Sequence, residues 1–271
     1  MTGTQSAWRI LDDSISLSSD DQHTSEMVST LLTSFAEIDP VGVSPDNTFF
    51  VATRVGGFEL RRGDQLAEAH PSRPELILRL LAEINRSVVD SYLGFAAHAG
   101  VVALKDRVIA IPGVSGAGKS TITAACLAAG FDYLSDEALC IEFDGQTIDP
   151  YPRPLQLHKA AFLALGLDVP IEFAESTEAP ITPHDLGART ASPGLRLAEV
   201  VFLDRRPGRT HLQAMPRGEA AGSLLSLSFN HYKRPAASFE LVTEIMQTAR
   251  GWVISLEDPL EGARRLQSEF A

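Results

Sequence analysis

Apolar positions in the first ninety residues recur in two rhythms. Short alternating runs at Trp8-Arg-Ile-Leu11 and Ile15-Ser-Leu17 predict strands. Behind Thr24, which can cap a helix, Met27, Val28, Leu31, Leu32, Phe35 and Ile38 fall at helical spacing. Phe49 to Val55, Gly56-Gly57 and Phe58-Glu-Leu60 read as a hairpin, and Gly63-Asp64 as a second turn. Ser72-Arg-Pro-Glu75 is a capping box with proline in the first turn. It opens a helix carrying Ile77, Leu80, Leu81, Ile84 and Val88 on one apolar face. Together these predict a small N-terminal α+β domain over residues 1–92.

From Leu93 onward strands and helices alternate, which predicts an α/β domain over residues 93–271. Val101–Leu104 and Val108–Ile111 flank Lys105-Asp106 as a hairpin. The run Thr121–Ala129 reads as a buried helix, closed by Gly130 where a left-handed C-terminal glycine belongs. Phe131–Leu134 and Ala138–Phe143 are the next strands, the second ending in an Asp144-Gly145 turn. Between Asp168 and Gly194 the chain is rich in Pro, Glu, Thr and Ser, as a lid or a disordered loop would be. Arg196 to Asp204 is the next strand. Helices come after it at Glu219–Leu227 and Ser238–Ala249, then a strand at Trp252–Leu256. A last helix opens with Asp258-Pro-Leu-Glu261.

The hairpin and the Thr121 helix are joined by Gly113-Val-Ser-Gly-Ala-Gly-Lys119-Ser120-Thr121, which matches G-x-x-x-x-G-K-[ST]. Strand, glycine loop and helix in this order form a phosphate cradle, because backbone N–H groups and the helix N-terminus both face the anion. The residues assigned to the nucleotide are Gly113, Ser115, Gly116, Ala117, Gly118, Lys119, Ser120 and Thr121. Lys119 is expected to reach the β/γ-phosphates and Ser120 to offer its hydroxyl to Mg²⁺.

Composition narrows the partners. The 271 residues carry a formal net charge of −12, which argues against a protein that binds nucleic acid through its phosphate backbone. The two cysteines, Cys126 and Cys140, lack metal-ligand spacing and predict a reduced compartment. The first residues lack the basic-then-apolar order of a signal peptide, and no run is long enough for a membrane span. A cytoplasmic protein without membrane partners is expected.

A phosphate cradle does not say what is done with the nucleotide. Phosphoryl transfer needs Mg²⁺ and a group that orients or deprotonates the acceptor. Two carboxylate positions end apolar strands: Asp136-Glu137 after Leu134-Ser135, and Asp204 after Val200-Val-Phe-Leu203. From chemistry alone either could face the metal, and the adjacent pair permits one carboxylate to take a proton while the other holds metal. Arg153, fixed between Pro152 and Pro154, could reach the triphosphate, or it could be a surface arginine on a rigid turn. Arg205, Arg206 and Arg209, and the group His231-Tyr-Lys-Arg234, are basic clusters that would suit an acidic acceptor; such clusters are also ordinary solvated loops.

The stretch His98-Ala-Gly-Val-Val, the glycine loop and Leu134-Ser-Asp-Glu137 together resemble the HPr kinase/phosphorylase family and its shorter relatives, among them kinases found with lasso-peptide biosynthesis genes. The spacing of His98, Lys119 and Asp136 fits that layout, and Tyr151-Pro-Arg-Pro154 resembles a further element of the shorter relatives. The resemblance covers residues 93–154 most specifically and rests on layout alone before Leu93. It implies a P-loop kinase domain of the HPr-kinase/carboxykinase-like type, using ATP and Mg²⁺ to phosphorylate a serine-type hydroxyl of a peptide or small protein. Carried over, Asp136 is the base, with Lys119 and His98 as its catalytic neighbours. Ser120 and Glu137 hold metal, Glu137 standing where the family has a second Asp. His98 lies beside the reacting phosphate or holds Asp136, and Asp204 becomes a structural strand end. Assembly into a homo-oligomer is also a habit of the family. No Glu-Ile-Arg-Gly-like stretch comes after the base, so a kinase without the reverse phosphorylase activity is implied. The rivals are a nucleotide-binding switch with slow ATPase activity, a small-molecule kinase and, on fold analogy alone, a carboxykinase.

Overall fold

The computed structural model describes residues 4–143, 147–204 and 209–271. The Asp144-Gly145 turn and the Arg205 and Arg206 cluster lie outside them. The fold is mixed α/β, with seven α-helices among the described residues. Contacts divide the chain into two units: Met1–Tyr92 with Val169–Pro180, and Leu93–Asp168 with Ile181–Ala271. The short segment Val169–Pro180 thus belongs to the first unit, although its place in the sequence puts it within the second domain.

The first unit is a six-stranded sheet with two helices. In chain order it holds β1 (Thr4–Ile10), β2 (Asp13–Ser19), α1 (Gln22–Leu31), β3 (Ala36–Glu37), β4 (Thr48–Arg54), β5 (Gly57–Arg62), β6 (Glu68–His70) and α2 (Arg73–Ser91). The strand order is β3-β1-β2-β4-β5-β6. Both hairpin strands expected around Gly56-Gly57 form, as β4 and β5 in antiparallel register. Helical spacing after Thr24 extends to Ile38, but the helix does not. Its cap is Asp21, whose carboxylate accepts from Thr24 N at 2.9 Å, and it ends at Leu31 so that Ala36–Glu37 can pair with β1. The Ser72 capping box forms, and Ile77, Leu80, Leu81, Ile84 and Val88 are all buried.

The second unit surrounds an eight-stranded sheet. Its elements are β7 (Phe95–Leu104), β8 (Arg107–Pro112), α3 (Lys119–Ala128), β9 (Asp132–Ser135), β10 (Ala138–Ile141), β11 (Ile148–Asp149), β12 (Leu155–His158) and α4 (Lys159–Leu165). After β13 (Glu178–Ile181), of which only Ile181 belongs to this unit, come β14 (Arg196–Asp204), β15 (His211–Met215), α5 (Arg217–Ser226), α6 (Pro235–Thr248), β16 (Arg250–Ser255) and α7 (Pro259–Phe270). The order is β11-β10-β7-β8-β14-β16-β15, with β9 also on β7. Strands β8, β14 and β16 are parallel, so their C-terminal ends open on one edge, where α/β sheets bind ligands. The stretch 168–194 is neither a bare lid nor structureless: it contains β13 and two short 3₁₀ turns, and Phe173 is buried. Strand β15 is an edge strand, and its register on β16 comes from backbone pairing.

Candidate active site

Strand β7 assembles the site, because it has a different partner on each edge. On one side Ala99 faces Pro112 of β8, at the entry to the glycine loop; on the other His98 faces Ala138 of β10, just after Glu137. Two backbone bonds close the arrangement: Gly113 N donates to the His98 carbonyl at 3.2 Å, and Ala99 N donates to the Glu137 carbonyl at 3.2 Å. Residues 98, 113 and 137 are thereby neighbours although far apart in sequence. Gly100 brings the helix in: a Cβ there would stand 2.2 Å from Thr123 Oγ1, so only glycine lets α3 lie this close to β7.

The glycine loop has the backbone its sequence requires. Gly116 (φ 74°) and Gly118 (φ 96°) sit in the left-handed region, where side chains are strained. Gly118 is the N-cap of α3 and has no side chain with which to cap it, which leaves the first N–H groups of the helix for an anion. Lys119 is buried to 5 % exposure, and its ammonium donates to the Val114 carbonyl at 3.0 Å across the loop. Burial lowers its pKa, and the nearby Glu137 and Asp136 carboxylates oppose that shift. Ser115, Ala117, Ser120 and Thr121 complete the cradle at the surface and rim of the loop.

Opposite the lysine, the acid turn is set by Ser135, whose hydroxyl accepts from Glu137 N at 3.2 Å and Ala138 N at 3.1 Å. This turn gives its two carboxylates different surroundings. Asp136 is 3 % exposed, the Ser120 hydroxyl beside it favours its ionised form, and its Oδ1 is buried with no partner. Desolvation pushes its carboxyl up to about 7, against the pull of Arg153, Ser120 and Lys119. Glu137 points elsewhere: Arg153 Nη1 donates to its Oε2 at 2.9 Å, and His98 Nε2 lies 3.6 Å from its Oε1.

Arg153 is no surface arginine. It is 4 % exposed, its Nη2 donates to Gln156 Oε1 at 3.2 Å, and its carbonyl accepts from the buried Tyr133 hydroxyl at 2.8 Å. Burial alone would lower its pKa, but the carboxylate of Glu137 and its other anionic neighbours raise it above the ordinary value. His98 stacks at a tilt on Phe229, with centroids 5.3 Å apart. Desolvation lowers its pKa, aided by Lys119 and Arg153 and opposed by Glu137, so the imidazole is neutral at pH 7.

The fold therefore brings His98, the loop 113–121, Asp136, Glu137 and Arg153 together within the second unit. His98 Nε2 lies nearest Glu137, and the Ser120 hydroxyl lies beside Asp136. Asp204 ends β14 on the same sheet edge. Tyr133, Gln156, Ser135 and Phe229 also shape the site and do not stand out in the sequence. Of these only Ser135 has a local signal, a serine three residues ahead of the next strand; the others matter through contacts made by folding. Among the described residues no helix is long and apolar enough to cross a membrane. No protein family and no curated protein matches the chain.

Proposed function

We propose that the chain is an ATP-dependent kinase of the HPr-kinase-like type, acting in the cytoplasm on a serine-type hydroxyl of a peptide or small protein. One observation carries this reading: the lysine and serine of the glycine loop lie near a buried carboxylate whose Oδ1 has no hydrogen-bond partner. A buried polar atom without a partner is costly, and such atoms are kept where a ligand completes them.

Backbone N–H groups of Ser115, Gly116 and Gly118 and of the start of α3 would hold the polyphosphate, with Lys119 exchanging the Val114 carbonyl for a phosphate oxygen. Mg²⁺ fits the oxygen pair of Ser120 and Asp136, since it is held by one or two carboxylates together with substrate phosphates. Among the described residues no three His, Cys, Asp or Glu side chains gather as a metal cage, and Mg²⁺ does not require one. When bound it would neutralise charge on the β- and γ-phosphates.

Asp136 orients the acceptor hydroxyl and takes its proton as the new O–P bond forms and the bond from the γ-phosphorus to the leaving ADP oxygen breaks. Glu137 is a positioning residue, because its carboxylate aims Arg153, which stabilises charge on the transferring group. Neutral His98 lines the same space without repelling Lys119 or Arg153.

The test is transfer of labelled γ-phosphate from ATP to a panel of short ribosomally made peptides, with wild type and Asp136→Asn. Label on a peptide serine that disappears in the variant, with ATP binding kept, supports the kinase and its base together. Free phosphate alone, released equally by both proteins, sinks the kinase reading and favours a nucleotide-binding switch.

A further inference from the structure

The sheet of the first unit has a face that neither α1 nor α2 covers. Both helices pack on the other side, which carries the buried Ile15, Leu17, Phe49, Val51 and Leu60. Alternation along each strand sends the neighbours of these residues to the open face. Arg62 marks the division: its Nη2 donates to Ser87 Oγ of α2 at 2.7 Å, so Arg61 points away from the helices. On the open face Ser18, Phe50 and Arg61 form one row across β2, β4 and β5, and Ala52 and Glu59 lie in the next. A cavity of about 290 Å³ sits there. Its floor is low because Ser18 and Ala52 are short. Phe50 and Arg61 make one wall, the guanidinium 4.4 Å from the ring centre.

The charges that line this cavity are unequally engaged. Arg54 Nη2 meets Glu59 Oε2 at 2.6 Å, and the two neutralise each other. Asp20 Oδ1 accepts from Thr53 N at 2.8 Å and from the Thr53 hydroxyl at 3.0 Å, which aims the carboxylate without cancelling its charge. Among the described residues no carboxylate pairs with Arg61, whose stacking on Phe50 leaves its N–H edge for a ligand. An anion and a cation therefore flank β4, on backbones roughly two strand spacings, or about 10 Å, apart. A purely acidic ligand would meet Asp20 and a chain of net charge −12, and a purely basic one would meet Arg61. The matching ligand carries both charges. Val55 and Leu66, almost fully exposed and next in sequence to the lining residues Arg54 and Ala67, offer apolar contact beside them. A small zwitterion leaves these two unused. An extended peptide rises about 3.3 Å per residue, so three residues span the two charges and their neighbours reach the apolar pair.

We propose that this face docks an extended segment of the acceptor peptide, with an acidic side chain on Arg61 and a basic one at Asp20. Calling the peptide the acceptor rests on the kinase reading; the docking does not, and the experiment keeps the two apart. Capped heptapeptides of Ala, Thr and Val, with one Glu and one Lys two, three or four residues apart, are titrated by NMR into nucleotide-free protein. Each is also made with Gln in place of Glu and with Gln in place of Lys. The proteins are wild type, Arg61→Gln and Asp20→Asn. Both side chains are exposed, and asparagine keeps the oxygen that accepts from Thr53, so the fold is retained; thermal melts check this.

At least one spacing should bind wild type, with its Gln-for-Glu form about threefold weaker or more, the size of an exposed charge pair. Arg61→Gln should bind these two forms equally. Asp20→Asn should do the same for the Lys peptide and its Gln-for-Lys form. Lost discrimination reports the contact itself, which a general loosening of the fold would not mimic. Failure of every peptide to bind at millimolar concentration, or discrimination that survives in Arg61→Gln, overturns the docking site. Free glutamate or lysine that binds as tightly as the peptides makes it a small-molecule site and overturns the peptide assignment. The best peptide is then extended to include a serine and offered with labelled ATP. Transfer with KM raised by Arg61→Gln and kcat unchanged supports docking of the acceptor. Binding without transfer removes the acceptor role and the kinase reading for that peptide, and leaves the docking site standing.

Discussion

Replacing Asp136 by Asn should make the metal-free protein relatively more stable as the pH rises. The Asp136 carboxyl ordinarily titrates at 3.8 and is pushed up to about 7 by burial in the fold. Between these values the folded state binds a proton that the unfolded state has released. By linkage, stability from this group is fully present below the unfolded value and is lost as pH rises toward the folded one. At roughly 1.4 kcal/mol per pH unit, ionising Asp136 in the fold costs about 4 kcal/mol by pH 8. Of this, roughly 3 kcal/mol accrues between pH 5 and pH 8. Asparagine fills nearly the same space and never ionises. Its amide must find partners where a carboxylic acid stood, a fixed cost of about 1–3 kcal/mol that does not vary with pH. The informative quantity is therefore the stability of Asp136→Asn minus that of wild type, from denaturant unfolding in EDTA at several pH values. Most other titrating groups cancel in that difference. It should rise by about 3 kcal/mol from pH 5 to pH 8 and flatten above pH 8. A difference that stays flat across this range would refute the argument, since it would mean that Asp136 is ionised at no unusual cost.

Three further outcomes are expected. Glu137→Ala leaves the buried Arg153 guanidinium without its carboxylate and should cost about 3 kcal/mol in denaturant unfolding; adding Arg153→Met should recover much of that, and failure to recover it would mean the pair is not the cause. Gly100→Ala forces a methyl to 2.2 Å from Thr123 Oγ1 and should cost about 2 kcal/mol, with Thr123→Ala restoring stability because it removes the clashing hydroxyl, itself buried without a partner. The His98 imidazole, tracked by NMR, should titrate below its ordinary 6.5, so that its share of stability is lost as pH falls through that region; a midpoint above 6.5 would show the Glu137 carboxylate outweighing burial.

Local chemistry wrote much of this protein into its sequence. The Ser72 and Asp258 caps, the Gly56-Gly57 hairpin, the Lys105-Asp106 turn and the strand–loop–helix around Gly113–Thr121 are all readable, because each depends on residues within a few positions of one another. The set of residues that meet at the site is legible in the sequence only through the resemblance, whose layout the spacing of His98, Lys119 and Asp136 fits. What the residues do to each other is not. Asp136 and Glu137 are chemically alike and adjacent, yet one is sealed beside Ser120 and the other is held by Arg153. That difference comes from β7 having the glycine loop on one edge and the acid turn on the other, and from the depth at which each carboxylate then lies. Burial and partner choice are sums over contacts distant in the chain, so the proton affinity of Asp136 and the pairing of Glu137 are decided only in the tertiary structure.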